Sequence, residues 1–440
     1  MANQPPYNLQ QSVFMLSLGS NGAFGKLGDQ ATLQSEMEAY LGGPSQRGRS
    51  VGGTFFEKLN AASADYPGLA GHDWETVWGP VVYVAHTDRG TNPGATNTMY
   101  VAKSASQNCF VVAIAGTNPL GIYGMTVEDL KVEPANMRAW PPTTTLPPPP
   151  AVQTVPLLDW GPANGGPAVA EGTSIGLSVL FTMQDPASGQ TLQKFLADNT
   201  NSTDTLVFTG HSLGGALSPT LALLLYPKGA TQSGWANIYI LATAGPTPGN
   251  AALAELFTAA YPATPIAKSP TGGNPSFVME QWNVIYANQW DLVPKAWDQL
   301  SNLIQAQPNS EGDYPSFFVQ NAPLVPAVAT PVGAAVNKAQ AAAGYSAGAA
   351  PATPYYTAAL SHTLFSGSWG KWQWPKAVVI PYPYPPTWGA DKPDPAGQPV
   401  TNIADFTSYL LNAHLDQYSY ALLGYPAPKN VHSLADAPGD

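Results

Sequence analysis

The chain has 440 residues, of which 44% are hydrophobic and only 10% charged, with 17 Lys and Arg against 28 Asp and Glu for a net charge of −11. That length can bury a large core, in one α/β domain with insertions or in two or three smaller domains. The acidic balance and the lack of any basic run exclude a general nucleic-acid binder and a polybasic membrane anchor. A single cysteine, Cys109, excludes an intrachain disulfide and a cysteine-based zinc site; its place at the head of an apolar run suggests a buried structural thiol. Glycine (42) and proline (45) are abundant, but 10% of the chain is aromatic, which points to a folded, loop-rich protein.

Residues 1–75 mix short helical patterns, such as Asp29–Leu41, with glycine turns and read as a covering layer. The apolar stretch Val13–Leu18 has no basic flank and is too short for a secretory leader core. No run approaches the length of a transmembrane helix. Either a leader has been removed, or export uses another route, or the protein is intracellular; the low charge and the many Pro, Gly and Trp residues lean towards an extracellular protein. Val81–His86 and Thr98–Lys103 read as a hairpin around the turn-forming DRGTNPGATN. Cys109–Ala115 is a continuous apolar run, the pattern of a central buried strand.

Residues 118–166 are irregular, with a proline-rich centre at 141–156 that favours a polyproline II path; they read as a linker or a cap. Helices follow at Ala168–Met183 and Thr191–Ala197. The next strand, Leu206–Phe208, leads into a helix at Ala216–Tyr226. Asn237–Ala242 is a strand, residues 251–261 a helix and Trp282–Ala287 a further strand. Residues 300–400 are rich in Ala, Pro and Gly and read as an insertion with one helix at Val332–Ala343. Asn402–Leu423 reads as a terminal helix or helix pair. Strands alternating with helices from 109 to 291 predict a mainly parallel central sheet with helices on both faces, in a single domain spanning 1–440.

The segment TLVFTGHSLGGAL, residues 205–217, carries the chemistry. It contains the pentapeptide Gly210-His-Ser-Leu-Gly214 between an apolar strand and an apolar helix, the pattern of a nucleophile elbow. Glycines there avoid crowding a tight turn. Ser212 would stand exposed at the helix N-terminus, which favours developing negative charge.

A serine hydroxyl needs a general base, and a histidine base needs an orienting carboxylate. On such a sheet the order is serine, acid, histidine. Asp291 follows the strand 282–287 and fits the acid; Asp298 and Asp313 are weaker rivals because neither follows a clear strand. His72 and His86 precede Ser212, and His432 lies in a tail, so His414 and His362 remain as bases, with His414 better placed at a loop–helix junction. Oxyanion donors are expected from the backbone N–H of Leu213 and from Thr117, just beyond the apolar strand 109–115. His211, Tyr123 and Met125 are candidates for substrate contact.

These motifs resemble the class 3 lipases, relatives of filamentous-fungal triacylglycerol lipases. The resemblance runs from about Phe110 to Pro294 and resumes near His414. It rests on VVAIAGTN, TGHSLGGAL, GPTPGN, NQWDLVP and HLDQYSYALL, in that order. Ala115 stands where the family usually has Arg before the oxyanion glycine, and Thr247 or Pro248 where it has Arg in the glycine–proline motif. The resemblance implies an α/β-hydrolase fold and a lipase or esterase that cleaves lipid-like acyl esters through an acyl-enzyme. It implies no metal or organic cofactor, and a lipid or small-molecule ester as partner, with contact to a lipid interface. It also implies a lid-like role for 118–166. A phospholipase A1, an acyltransferase, or a catalytically silent binding protein on the same scaffold are the alternatives.

Overall fold

The structure is a computed structural model that describes residues 7–42, 54–60, 73–85, 94–117, 137–143, 158–273, 275–288, 291, 293–295, 377–380 and 413–424. A seven-stranded sheet organises it, in the order β1-β2-β3-β6-β7-β10-β11. Its strands are β1 (Glu75–Tyr83), β2 (Asn97–Ser104), β3 (Cys109–Ile114), β6 (Thr205–His211), β7 (Asn237–Thr243), β10 (Val284–Asn288) and β11 (Ala377–Ile380). β1, β2 and β3 pair antiparallel, and every pairing from β3 to β11 is parallel. The fold is an α/β-hydrolase.

Apolar alternation decides which helices cover which face. In β3, Cys109, Val111 and Ala113 face one core, and Phe110, Val112 and Ile114 the other. The first core is closed by α1 (Leu9–Gly19), α2 (Gln30–Leu41), α3 (Phe55–Asn60) and α8 (Asp416–Leu423). The second is closed by α4 (Glu171–Thr182), α5 (Leu192–Asn199), α6 (Leu213–Leu225) and α7 (Ala251–Ala260). A strand buried on both faces reads as a continuous apolar run, which is why β3 was legible without any helix in view.

Cys109 is buried, and burial, with Asp204 nearby, pushes its thiol far above the ordinary range. The thiolate needed for reactivity is therefore suppressed.

Within the N-terminal covering layer every residue of α1 from Gln10 to Gly19 is buried, because it packs against β3, β6 and β7. Three expectations change. Residues 300–400 are not wholly an insertion outside the sheet, since Ala377–Ile380 pairs in parallel with β10 and adds a seventh strand. Ala168–Val169 does not open a helix; it forms β5, paired with β4 (Arg138–Ala139), and α4 begins only at Glu171. The first turn of α6 likewise begins at Leu213, directly after the serine, rather than at Ala216. A further two-stranded pair, β8 (Thr264–Pro265) with β9 (Gln281–Trp282), lies before β10.

Of the 118–166 segment only residues 137–143 and 158–166 are described. They are tied down by an Ala139 N–H to Gly161 bond, by paired Trp140 and Trp160 rings 5.8 Å apart, and by Trp160 donating to Ser178 of α4. The expected helix at Val332–Ala343 lies outside the described residues.

Candidate active site

β6 delivers Ser212 to the end of the sheet and α6 starts directly behind it. Ser212 has φ +60° and ψ −128°, a left-handed backbone that costs on the order of 1–3 kcal/mol for a residue with a side chain. Close packing holds the turn in that shape. A Cβ at Gly210 would stand 2.2 Å from the Gly214 carbonyl oxygen, and one at Gly214 would stand 2.2 Å from the Ile114 carbonyl oxygen. Only glycine fits at both positions, so β6, α6 and β3 meet at the elbow. The Ser212 N–H donates to the Thr243 carbonyl, and its own carbonyl accepts from Gly215 N–H.

His414 Nε2 lies 2.8 Å from Ser212 Oγ, and its Nδ1 lies 2.8 Å from Asp291 Oδ2. A carboxylate only accepts, so Nδ1 carries the proton and Nε2 is left with a lone pair towards the serine. Asp291 is 1% exposed. Its Oδ2 also accepts from the Tyr418 hydroxyl at 2.9 Å, and its Oδ1 from Val293 N–H at 3.0 Å. Three donors hold the carboxylate in one orientation.

Of the expected site residues, Ser212, Asp291 and His414 are therefore brought together. Leu213 opens α6 beside the serine, and the first four N–H groups of a helix have no partner within it. Thr117 follows Gly116, whose added Cβ would stand 3.0 Å from Ser212 Cβ, so the end of β3 lies against the nucleophile. His211 is corrected. It is 0% exposed and does not face a substrate: its Nε2 donates to the His414 carbonyl at 2.7 Å, and its Nδ1 meets Thr243 Oγ1 at 2.9 Å. An inward side chain is forced on it because Ser212, one residue on, must point outward. Tyr123, Met125, His362, His432, Asp298 and Asp313 lie outside the described residues.

Sequence reasoning missed the groups that hold His414. Asn288 at the end of β10 donates through Nδ2 to the Ala413 carbonyl and to Gln417 Oε1, both at 2.9 Å. Its backbone N–H donates to Tyr418 Oη at 2.7 Å. The His211 ring packs 4.9 Å from that of His414 and edge-on to Tyr418 at 5.1 Å. The only sequence signal was placement: Asn288 ends a strand three residues before the acid, and Tyr418 lies one helical turn beyond the base. Asn250, the last residue of GPTPGN, caps α7 and grips β5. Its Oδ1 accepts from Leu253 and Ala168 N–H, and its Nδ2 donates to Gly166.

Among the described residues no group of three His, Cys, Asp or Glu side chains is placed to hold a metal ion, and no helix is long and apolar enough to cross a membrane.

The family model described as Lipase (class 3) matches residues 175–297, which span the elbow and the acid. Over that segment the chain is similar to the class 3 lipases. The chain is similar across its length to the solved M37 lipase, with 20% identity, 98% of this chain and 99% of that chain covered, and a TM-score of 0.50. It is also similar to the Rhizomucor miehei lipase solved as a propeptide complex, with 14% identity, 65% and 62% coverage, and a TM-score of 0.35. No curated protein matches it. The first of these structural likenesses extends the fold beyond the matched segment.

Proposed function

We propose that this chain is a lipase that hydrolyses acyl esters of lipid-like substrates through an acyl-enzyme on Ser212. The observation that carries the reading is the unbroken chain of hydrogen bonds from Ser212 Oγ through His414 to the buried Asp291.

Ser212 Oγ attacks the ester carbonyl carbon while His414 Nε2 takes its proton. The carbonyl oxygen becomes an oxyanion, which accepts from the Leu213 and Thr117 backbone N–H groups beside the N-terminus of α6. Collapse breaks the bond to the alcohol, which leaves with the proton from His414. Water then attacks the acyl-enzyme, His414 takes its proton, and the carboxylic acid departs with Ser212 restored. Asp291 stays ionised and keeps the imidazole in the orientation that presents Nε2.

Hydrolysis of p-nitrophenyl esters of graded chain length tests the reading. Ser212→Ala abolishes turnover in a folded protein, and His414→Ala lowers it by roughly 10³–10⁴ or more, the size expected when one member of such a unit is lost. An organophosphonate adds one mass increment, at Ser212. More than a few per cent of wild-type activity in Ser212→Ala sinks the serine mechanism. Product profiles from triacylglycerol, phospholipid and an added alcohol separate a lipase from a phospholipase A1 or an acyltransferase.

A further inference from the structure

We infer that Asn21, from the buried N-terminal helix and outside the segment that matches the family model, is a positioning residue for the oxyanion site. The inference rests on the proposed serine mechanism and adds a residue that the elbow, acid and base motifs do not contain.

Asn21 follows the last turn of α1. Its N–H donates to the Leu18 carbonyl and its carbonyl accepts from Phe24 N–H, so the backbone is held on both sides. The side chain is 4% exposed. Its Nδ2 donates to the Ser17 carbonyl at 3.2 Å, which turns Oδ1 outward from the helix. Oδ1 accepts the Gly116 N–H at 2.7 Å.

That contact lies where β3 leaves the sheet. Ala115 N–H is still held by the Thr98 carbonyl of β2, but β3 ends at Ile114 and the ladder offers Gly116 nothing. Asn21 supplies the missing acceptor from another element. Two consequences follow. The Gly116 amide is engaged and is removed as an oxyanion donor, which leaves the role to Thr117. The peptide plane before Gly116 is also fixed, and Gly116 is the residue packed against Ser212. A preorganised donor needs such a support, since a misdirected N–H loses most of its value when charge develops.

Asn21→Ala removes the acceptor, and Asn21→Asp keeps it in place. The experiment compares kcat, KM, the melting temperature, and inhibition by a boronic acid, which forms a tetrahedral anionic adduct on the serine. With Asn21→Ala, kcat falls about ten- to a hundredfold, less than the roughly 10²–10³ for outright loss of one oxyanion donor because the donor is misdirected rather than removed, while KM stays within about threefold. Boronic-acid affinity falls in step with kcat/KM. Asn21→Asp keeps the Gly116 bond but loses the donation to the Ser17 carbonyl and buries a carboxylate, so it melts below wild type, and kcat falls because a negative charge now adjoins the developing oxyanion. A folded Asn21→Ala protein with wild-type kcat, or one changed in KM alone, overturns the inference. If Asn21→Ala does not fold, wild-type kcat and boronic-acid affinity in Asn21→Asp overturn it. A wild-type protein that hydrolyses no ester overturns the serine reading instead, and Ser212→Ala distinguishes the two failures.

Discussion

Ser212 sits in a strained backbone that only its neighbours maintain, and its partners show the same dependence on buried polar contacts. Tyr418 makes this concrete. Its hydroxyl accepts from Asn288 N–H and donates to Asp291, so it joins the strand that ends before the acid to the helix that follows the base. Tyr418→Phe removes the acceptor that the Tyr418 hydroxyl offers the Asn288 N–H and costs about 1–3 kcal/mol of stability. It also removes one of three donors to Asp291, so kcat falls, though by less than in His414→Ala. Urea unfolding and steady-state kinetics on the same preparation measure both effects. An unchanged midpoint and unchanged kcat would show that the hydroxyl contributes nothing to the acid's placement.

At the scale of elements, the loop between β7 and α7 joins two layers through one side chain. Asn250 caps α7 and also holds β5, the short strand that leads into α4. A Cβ at the preceding Gly249 would stand 2.3 Å from the Ala168 carbonyl oxygen, so the two backbones touch there. Asn250→Ala loses the cap and leaves the buried Ala168 N–H without its acceptor. The combined cost is about 2–3 kcal/mol. Asn250→Asp retains the acceptor oxygens and loses only the donor to Gly166, so its unfolding midpoint falls less. Equal losses in the two variants would show that the Oδ1 contacts are not what matters.

At the scale of the whole molecule, the two ends of the described chain meet. Gln11 in α1 donates through Nε2 to the Gly272 and Leu422 carbonyls, and its Oε1 accepts from Gly272 N–H. One side chain thus links α1, the stretch before β9, and α8, the helix behind His414. Gln11→Ala removes these bonds in a buried setting and costs roughly 2–4 kcal/mol. Because the linked segments share one core, tryptophan fluorescence and loss of ester hydrolysis shift together to lower urea. Activity lost well before the fluorescence transition would show that α8 opens independently of α1.

The sequence by itself determined the elbow, the order of serine, acid and base, and the parallel sheet. Each is written locally: β3 and β6 are apolar runs bounded by Gly, and an elbow needs glycines at fixed offsets from its serine. Asp291 was legible because it follows a strand, and His414 because it precedes a helix. Only the tertiary structure decided what holds these groups in place. Asn21, Asn288 and Asn250 act through bonds to residues far away in the chain, and a lone asparagine beside a strand or helix carries no mark of its distant partner. β11 was missed for a related reason, since a four-residue strand inside a proline-rich stretch is specified by the open edge of β10 rather than by its own pattern. The burial of α1 along its whole length was not legible either, because helical periodicity shows an apolar face, whereas a helix buried all round shows none. His211 changed role because the outward turn of Ser212 sends its neighbour inward, and only the position of the His414 carbonyl tells what it meets there.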